Sequence, residues 1–218
     1  MNIENARFNM IEQQIRPWDV LDLDVLGLLS IVKRENYVPA EYRDLAFADL
    51  ELPLPGGASK MLFPRVEARV LQELTVKKHE NVLVIGAGSG YLAALFAHRA
   101  QHVTAVEIDP TIAKFAEDNL RNDGVTNAEV VLGDGSRGWA AKAPYDVICV
   151  AGGLPVVPQE MLEQLKIGGR LSAFVGGRPV MKAQIITRID DKQYRVADVF
   201  ETYIDHLVNA IEPSRFKF

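Results

Sequence analysis

Two carboxylates of this 218-residue chain follow strand-like runs and have the chemistry to bind a nucleoside. Glu107 ends the run 102–107 (H-V-T-A-V-E), and Asp134 follows the run 130–133 (V-V-L-G). An ionised carboxylate only accepts hydrogen bonds, so Glu107 can hold two ribose hydroxyls and Asp134 can hold an adenine amino group. Nucleotide-binding folds place a ribose-binding carboxylate about twenty residues after a glycine-rich turn, which is where Glu107 lies. The pair therefore indicates an adenosine site.

The glycine-rich turn lies in residues 82–91 (V-L-V-I-G-A-G-S-G-Y). Its four apolar residues predict a buried strand, and its alternating glycines predict a tight turn into a helix. Glycine permits the sharp turn and leaves no Cβ where a ligand or the helix approaches the main chain. The turn and the two strand ends together supply the predicted cofactor-binding residues, which are Gly86, Ala87, Gly88, Ser89, Gly90, Glu107, Ile108, Asp134 and Gly135.

The turn alone does not distinguish a dinucleotide from S-adenosylmethionine (SAM), because a glycine turn after a strand serves both. The spacing here is G-x-G-x-G, whereas a dehydrogenase fingerprint would carry its last glycine one residue later, at the position of Tyr91. Two acidic strand ends also suit adenosine better than a pyrophosphate. The pattern favours SAM, and a nicotinamide-dependent dehydrogenase remains the outside alternative.

Strands and helices alternate from residue 81 onward, and these elements must position the turn and both carboxylates. The order predicts a doubly wound α/β fold: a mostly parallel, Rossmann-like sheet with helices on both faces and an antiparallel edge hairpin. The pair Gly168-Gly169 is predicted to end the third helix. The predicted strands are 81–86, 102–107, 128–132, 145–151 and 170–175, the helices 90–99, 110–122 and 158–165, and the hairpin strands 183–189 and 194–203.

Residues 1–80 are predicted to form a helical and loop extension packed on a core domain of residues 81–218. Apolar spacing and capping residues predict helices near 2–14, 22–33 and 64–74. The segment 37–57 contains three prolines and a Gly-Gly pair, so we expect an irregular loop over the surface. Such a loop beside a nucleotide fold is either a substrate lid or a packed connector.

Composition and charge are those of a soluble protein with a sizeable core. The chain is 48% hydrophobic and has a formal net charge of −5, which argues against broad binding to nucleic acids or anionic membranes. No apolar run approaches the roughly 18 residues of a membrane span, and the first residues lack the order of a signal peptide. The single Cys149 cannot form an intrachain disulfide, so we expect a cytoplasmic protein. The four histidines lack metal-ligand spacing, and no metal site is predicted.

Four further motifs accompany the glycine turn: 34–39 (R-E-N-Y-V-P), 133–139 (G-D-G-S-R-G-W), 143–148 (A-P-Y-D-V-I) and 164–171 (Q-L-K-I-G-G-R-L). Two of them, 133–139 and 164–171, are more selective than a glycine turn. With the glycine turn, all four resemble the protein-L-isoaspartate O-methyltransferase family, and the match is dense through most of residues 60–190. The resemblance implies a SAM-dependent enzyme that methylates the free carboxylate of isoaspartyl residues in damaged proteins. Its expected partner is therefore a protein or peptide that carries isoaspartate, and neither a nucleic acid nor a membrane.

The resemblance places the methionine end of SAM on the glycine turn, the ribose on Glu107 and the adenine on Asp134. An isoaspartyl carboxylate is already ionised at neutral pH, because the reference pKa of such a group is about 4. It is then its own nucleophile, and no general base is required. Catalysis rests on aligning the carboxylate with the methyl group and on excluding water.

One segment departs from the family pattern, in which a Q-T-I-S-x-P-type run supplies a substrate-binding serine. Residues 56–64 read G-G-A-S-K-M-L-F-P, and alignment on the proline puts Leu62 at the serine position. Ser59 and Lys60 are the candidate catalytic residues on the substrate side, and Arg65 is a further candidate donor. The change leaves two alternatives open: methylation of a different acceptor, and a SAM-binding protein with little catalysis.

Overall fold

The N-terminal region combines short helices with a two-residue ribbon. The computed structural model of the protein describes residues 2–212, so residues 213–218 of the predicted core domain lie outside it. Asp22 caps the second helix, since its side chain accepts hydrogen bonds from the backbone N–H groups of Asp24 and Val25. The elements are α1 (Ile3–Met10) with a π-turn (Ile11–Ile15) and a 3₁₀ turn (Arg16–Trp18), α2 (Leu23–Ile31), two 3₁₀ helices (Arg34–Asn36 and Ala40–Leu45), the ribbon β1 (Leu52–Pro53) and β2 (Lys60–Met61), and α3 (Pro64–Leu74).

A seven-stranded sheet follows and forms the centre of the molecule. Its strands are β3 (Asn81–Ile85), β4 (His102–Glu107), β5 (Ala128–Leu132), β6 (Tyr145–Leu154), β7 (Leu165–Gly177), β8 (Val180–Arg188) and β9 (Tyr194–Thr202). They lie in the order β5-β4-β3-β6-β7-β8-β9, in which the first five are parallel and the last two antiparallel. The helices between them are α4 (Tyr91–Ala97), α5 (Pro110–Asn122) and α6 (Gln159–Glu163). The predicted Rossmann-like fold is confirmed.

Helices cover both faces of the sheet, as the alternation of side chains along β3 demonstrates. Val82 and Val84 belong to a core shared with α3, α4 and α5, whereas Leu83 and Ile85 belong to a second core shared with α6. Successive side chains of a strand point to opposite faces, so a strand that is apolar at every position needs cover on both. The carboxyl ends of the central parallel strands carry the loops described below.

The prediction that Gly168-Gly169 ends a helix is wrong. The helix α6 ends at Glu163, and β7 begins at Leu165, five residues earlier than expected. The two glycines form an irregularity within β7, where the pairing with β6 shifts register. A Cβ at Gly169 would lie 2.9–3.1 Å from three backbone oxygens, so the close approach of the two strands requires glycine there.

The segment 37–57 does not run over the surface as an irregular loop. It contains the second 3₁₀ helix and β1, and several of its apolar side chains, among them Tyr37, Phe47 and Leu52, are buried. The Tyr37 hydroxyl donates a hydrogen bond of 2.7 Å to Asp123 at the end of α5. Apolar residues between the prolines thus anchor the segment to the core, as in a packed connector.

No helix within residues 2–212 is long and apolar enough to cross a membrane. The division of the chain at residue 80 stays a prediction.

Candidate active site

The glycine turn lies at the carboxyl end of β3, beside a cavity of about 180 Å³. Gly86, Ala87, Gly88 and Ser89 line this cavity. Gly86 and Gly88 have φ angles of +85° and +55°, which side chains rarely adopt. Gly90 has a different neighbour, because a Cβ there would lie 3.0 Å from the backbone oxygen of Ala116 in α5. Four of the five predicted turn residues therefore face the cavity, and the fifth packs against a helix.

Glu107 is fixed at the end of β4 by three backbone N–H groups. Its Oε1 accepts hydrogen bonds from Ile108 at 3.0 Å and Asp109 at 3.2 Å, and its Oε2 accepts one from Gly88 at 3.0 Å. The residue is only 7% exposed. A carboxylate offers about four lone-pair positions, so acceptor capacity remains on the cavity side. Glu107 thus ties the glycine turn to the next strand and still presents an anion to a ligand.

Asp134 and Gly135 line a smaller pocket that continues from the main cavity past Gly86 and Glu107. The Ser136 N–H donates to Asp134 Oδ1 at 2.9 Å, and this hydrogen bond is the main reason that the pKa of Asp134 lies below its ordinary value. Asp134 Oδ2 accepts a hydrogen bond of 2.9 Å from the side chain of Asn209. The carboxylate is therefore ionised and suited to accept from an amino group.

A segment that the sequence interpretation did not assign to the site covers both pockets. This C-terminal strap, residues 204–210, is bound to β6 through Gly153, which donates to the Asp205 carbonyl at 2.8 Å and accepts from the Leu207 N–H at 2.9 Å. The Leu207 side chain lies over the sheet edge, and a Cβ at Gly152 would come within 2.5 Å of its Cδ2. The strap therefore forms a wall of the nucleoside side of the cavity.

Ser59, which precedes β2, and Lys60, which begins it, line the same cavity. Lys60 Nζ lies 3.1 Å from Asp205 Oδ2 in the strap and 3.8 Å from Glu51 Oε2. The hydrogen bond to Asp205 raises the pKa of Lys60, so its ammonium group stays protonated. Burial raises the pKa of Glu51, an effect that Lys60 partly opposes. The predicted substrate side is thus brought together with the predicted cofactor side by residues distant in sequence.

Leu62 also lines the cavity, and below it lies a buried ion pair. Arg34 pairs with Glu67 of α3, and it donates a second hydrogen bond of 2.9 Å to the Leu62 carbonyl oxygen. Burial raises the pKa of Glu67 to about 7 although Arg34 lowers it. Arg65, by contrast, stacks between the rings of Trp18 and Phe63 at 4.6 and 4.5 Å from their centroids. The geometry therefore does not bring Arg65 to the acceptor side.

The charges around the cavity favour a cationic ligand. Its lining includes the carboxylates of Glu51, Glu67, Glu107 and Asp205 and the ammonium group of Lys60. SAM carries a sulfonium and an ammonium group against a single carboxylate, whereas NAD carries an anionic pyrophosphate. Negative groups in a partly closed cavity attract the first and repel the second. The residues present thus fit SAM.

Comparison with known proteins decides the family. The model of the family "Protein-L-isoaspartate(D-aspartate) O-methyltransferase (PCMT)" matches residues 5–208. This chain belongs to that family. A curated protein-L-isoaspartate O-methyltransferase of Methanoculleus marisnigri is 39% identical over 193 residues, which cover 88% of this chain and 86% of the relative.

Two solved structures share the family's fold. A protein-L-isoaspartate O-methyltransferase aligns with a TM-score of 0.79 at 25% identity, over 93% of this chain and 66% of the other. A protein from Plasmodium falciparum, described as a putative member of the family and solved with S-adenosyl-L-homocysteine (SAH), aligns with the same TM-score of 0.79 at 16% identity, over 95% and 99% of the two chains. These comparisons do not favour the alternatives of a different acceptor or of a SAM-binding protein with little catalysis.

Several residues of the site were missed by sequence reasoning. Glu67 could have been found from the sequence, because it falls on the apolar stripe of α3 with Val70, Leu71 and Leu74, where a charged residue is unusual. No sequence pattern pointed to Asp205 and Asn209, since their segment lacks a hydrophobic periodicity and lies far from the glycine turn in sequence. Within residues 2–212, no three His, Cys, Asp or Glu side chains come close enough to hold a metal ion.

Proposed function

We propose that this chain transfers the methyl group of SAM to the free carboxylate of L-isoaspartyl residues in damaged proteins. The observation that carries this proposal is the family match over residues 5–208, in a chain whose cavity joins the glycine turn to the segment of Ser59 and Lys60. Bound SAM would supply an electrophilic methyl group on its sulfonium.

The nucleoside side of the cavity would hold the cofactor. Glu107, held by three N–H groups, accepts hydrogen bonds from the ribose hydroxyls without having to reorient. Asp134 accepts a hydrogen bond from the adenine amino group, with Asn209 steadying its other oxygen. A carboxylate fixed in advance loses little conformational entropy when the ligand arrives, which favours binding. Gly86 and Gly88 let the main chain approach the methionine part.

The acceptor side would bind the isoaspartyl carboxylate through Lys60. The Lys60 side chain is 43% exposed, and its ammonium group lies near the carboxylates of both Asp205 and Glu51. An arriving carboxylate competes with these two groups for the same donors, and the Ser59 hydroxyl adjoins the same space. Lys60 would orient the nucleophile, whereas the family pattern has a substrate-site serine at the position of Leu62.

Apolar groups would keep water away from the reacting atoms. Leu54, Leu62 and Leu92 line the cavity, as do Ile204 and Leu207 of the C-terminal strap. Excluding water strengthens the electrostatic interactions of a charged nucleophile and removes a competing acceptor. We also propose a cytoplasmic location, which the single buried Cys149 supports.

The test is transfer of labelled methyl from SAM to a peptide that contains one isoaspartyl residue. The matched peptide with an ordinary aspartyl residue is the substrate control, and a Glu107→Ala preparation controls for contaminating enzymes. We expect transfer to the isoaspartyl peptide alone, abolished in the variant. Binding of SAH without transfer to either peptide would overturn the assigned acceptor and leave the cofactor standing.

A further inference from the structure

Glu67 is a buried carboxylate on the apolar face of α3. It is 3% exposed, and the neighbouring positions on that face are occupied by Val70, Leu71 and Leu74. Burial of an ionised carboxylate is costly unless the charge is paired and hydrogen-bonded. A residue of this kind at an otherwise apolar position calls for a specific partner.

Arg34 is one partner of Glu67 and binds only one of its two carboxylate oxygens. Its guanidinium group pairs with Glu67 Oε2, donates to the Leu62 carbonyl oxygen at 2.9 Å and lies 5.1 Å from the centre of the Tyr91 ring. Among residues 2–212, no group donates a hydrogen bond to Glu67 Oε1, and Glu67 lines the cavity. The second carboxylate oxygen is therefore available to a ligand.

The position of Glu67 along the cavity indicates which part of the ligand it meets. Asp134 and Gly135 line the smaller pocket at one end, with Gly86 and Glu107 common to both pockets. Glu67 belongs to the main cavity alone, with Ser89 and Leu92. If the adenine lies at Asp134, the methionine part of SAM extends toward Glu67. Its amino group is cationic and, once removed from water, requires an acceptor.

We propose that Glu67 accepts a hydrogen bond from the amino group of the methionine part of SAM. This inference rests on the function proposed above and adds a binding residue to it. The burial that raises the pKa of Glu67 to about 7 also means that a bound cation would favour its ionised form. Arg34 then donates a hydrogen bond to one carboxylate oxygen, and the amino group of the ligand donates to the other.

The experiment compares two ligands in the full chain by calorimetry: SAH, and its analogue that lacks only the amino group. A charge-assisted hydrogen bond in a desolvated site contributes on the order of a tenfold change in affinity or more. We expect Glu67→Gln to weaken SAH binding at least about tenfold and binding of the deaminated analogue less than twofold.

The matched control is Glu35→Gln. Glu35 is also buried, at 6% exposure, and pairs with Arg7, but it is not among the residues that line the cavity. Its variant removes the buried carboxylate partner of Arg7, which keeps its contact with Glu4, so we expect lower thermal stability and an unchanged affinity ratio for the two ligands. A purely structural role for Glu67 would give its variant the same result as this control.

If Glu67→Gln lowers the affinities for SAH and for the analogue equally, or changes neither affinity, the role of Glu67 is refuted and the proposed function stays intact. Failure of the wild-type chain to bind SAH at all would overturn the proposed function instead. If Glu67→Gln does not fold, Glu67→Asp retains the charge but withdraws it by one methylene, and it is expected to weaken SAH selectively. Equal wild-type affinities for the two ligands would refute the proposal without any variant.

Discussion

The two sides of the cavity differ in how the chain builds them. The nucleoside side comes from the ends of neighbouring parallel strands, so Gly86, Glu107 and Asp134 reach one sheet edge through the regular order of the fold. The other side, which holds Lys60 and Glu67, is assembled from β2, α3 and part of the C-terminal strap, which meet through charged contacts such as that between Lys60 and Asp205. Sheet topology therefore fixes one side, and long-range side-chain contacts fix the other. Substitutions at Glu107 and at Lys60 should separate binding of the cofactor from use of the acceptor.

The largest effect is expected for Glu107→Ala. The variant removes the proposed ribose acceptor and leaves the N–H groups of Gly88, Ile108 and Asp109 without their carboxylate. We expect the Kd for SAH to rise about 100-fold or more, because hydrogen bonds to a charged group contribute about 1.5–3 kcal/mol each. Calorimetry measures this Kd, and Glu117→Ala on the exposed face of α5 is the control. A Kd within threefold of the wild-type value would refute the assignment.

Lys60→Met should act on the acceptor side alone. Loss of the ammonium group is expected to lower kcat/KM for an isoaspartyl peptide about tenfold, as for one charged hydrogen bond, and to change the Kd for SAH less than twofold. Initial rates at varied peptide concentration measure the first quantity. Lys78→Met, which removes an exposed lysine near the end of β3 opposite the glycine turn, is the control.

Equal losses of peptide activity and SAH affinity in Lys60→Met would show that the two sides are coupled, contrary to the comparison drawn above.

Gly90→Ala should reduce stability and not affinity. A Cβ would meet the Ala116 carbonyl oxygen at 3.0 Å and Leu120 at 3.3 Å, and the φ of +84° is strained for alanine. We expect the free energy of unfolding to fall by about 1–3 kcal/mol, from strain and overpacking together. Gly124→Ala is the matched control, since its φ is +72° but nothing lies within 4 Å of the new Cβ.

Denaturant unfolding would measure both glycine variants. A loss in Gly90→Ala no larger than in Gly124→Ala would exclude the packing against α5 as the cause. Weaker SAH binding by the folded Gly90→Ala protein would place Gly90 in the ligand site after all.

The smallest effect is expected at Glu129 of β5, which lies away from both sides of the cavity. Burial opposes its ionisation, but hydrogen bonds from His102, Lys142 and Thr104 outweigh burial and lower its pKa to about 2. A lowered pKa stabilises the fold above the unfolded-state value near 4.5, and the contribution is lost as the pH falls from there toward 2. Thermal unfolding should therefore show Glu129→Gln less stable than wild type at pH 7, by less than about 1 kcal/mol for so exposed a group.

The stability difference between wild type and Glu129→Gln should shrink as the pH drops below about 4.5. A difference that grows with acidity would contradict the assigned contacts.

Residues at the strand ends were easier to predict from the sequence than residues placed by long-range contacts. The nucleoside side was foreseen because its residues occur in short motifs whose order along the chain equals their order in the sheet. Leu207 and Asn209 could not be foreseen, since their placement depends on the backbone pairing of the strap with Gly153. Which of these residues contact SAM stays a prediction, as do the catalytic roles of Ser59 and Lys60.

The fold was predicted better than the boundaries of its elements. The alternation of apolar runs and helical patterns indicated the sheet, because central strands such as β3 and β4 are buried on both faces. Gly168-Gly169 misled the assignment of the third helix, since a glycine pair that ends a helix and one that forms a strand irregularity look alike in sequence. The burial of segment 37–57 was likewise hidden, because prolines and glycines signal turns without indicating where the intervening apolar residues pack.

The acidic lining of the cavity has a consequence for turnover. Methyl transfer to a carboxylate consumes one positive and one negative charge, so a sulfonium and an anion become a neutral thioether and a neutral ester. Glu51, Glu67, Glu107 and Asp205 therefore attract the spent cofactor less than the fresh one. The carboxylates that attract SAM therefore reduce product inhibition by SAH. The ratio of the affinities for SAM and SAH should fall as ionic strength rises, because salt screens the attraction to the sulfonium.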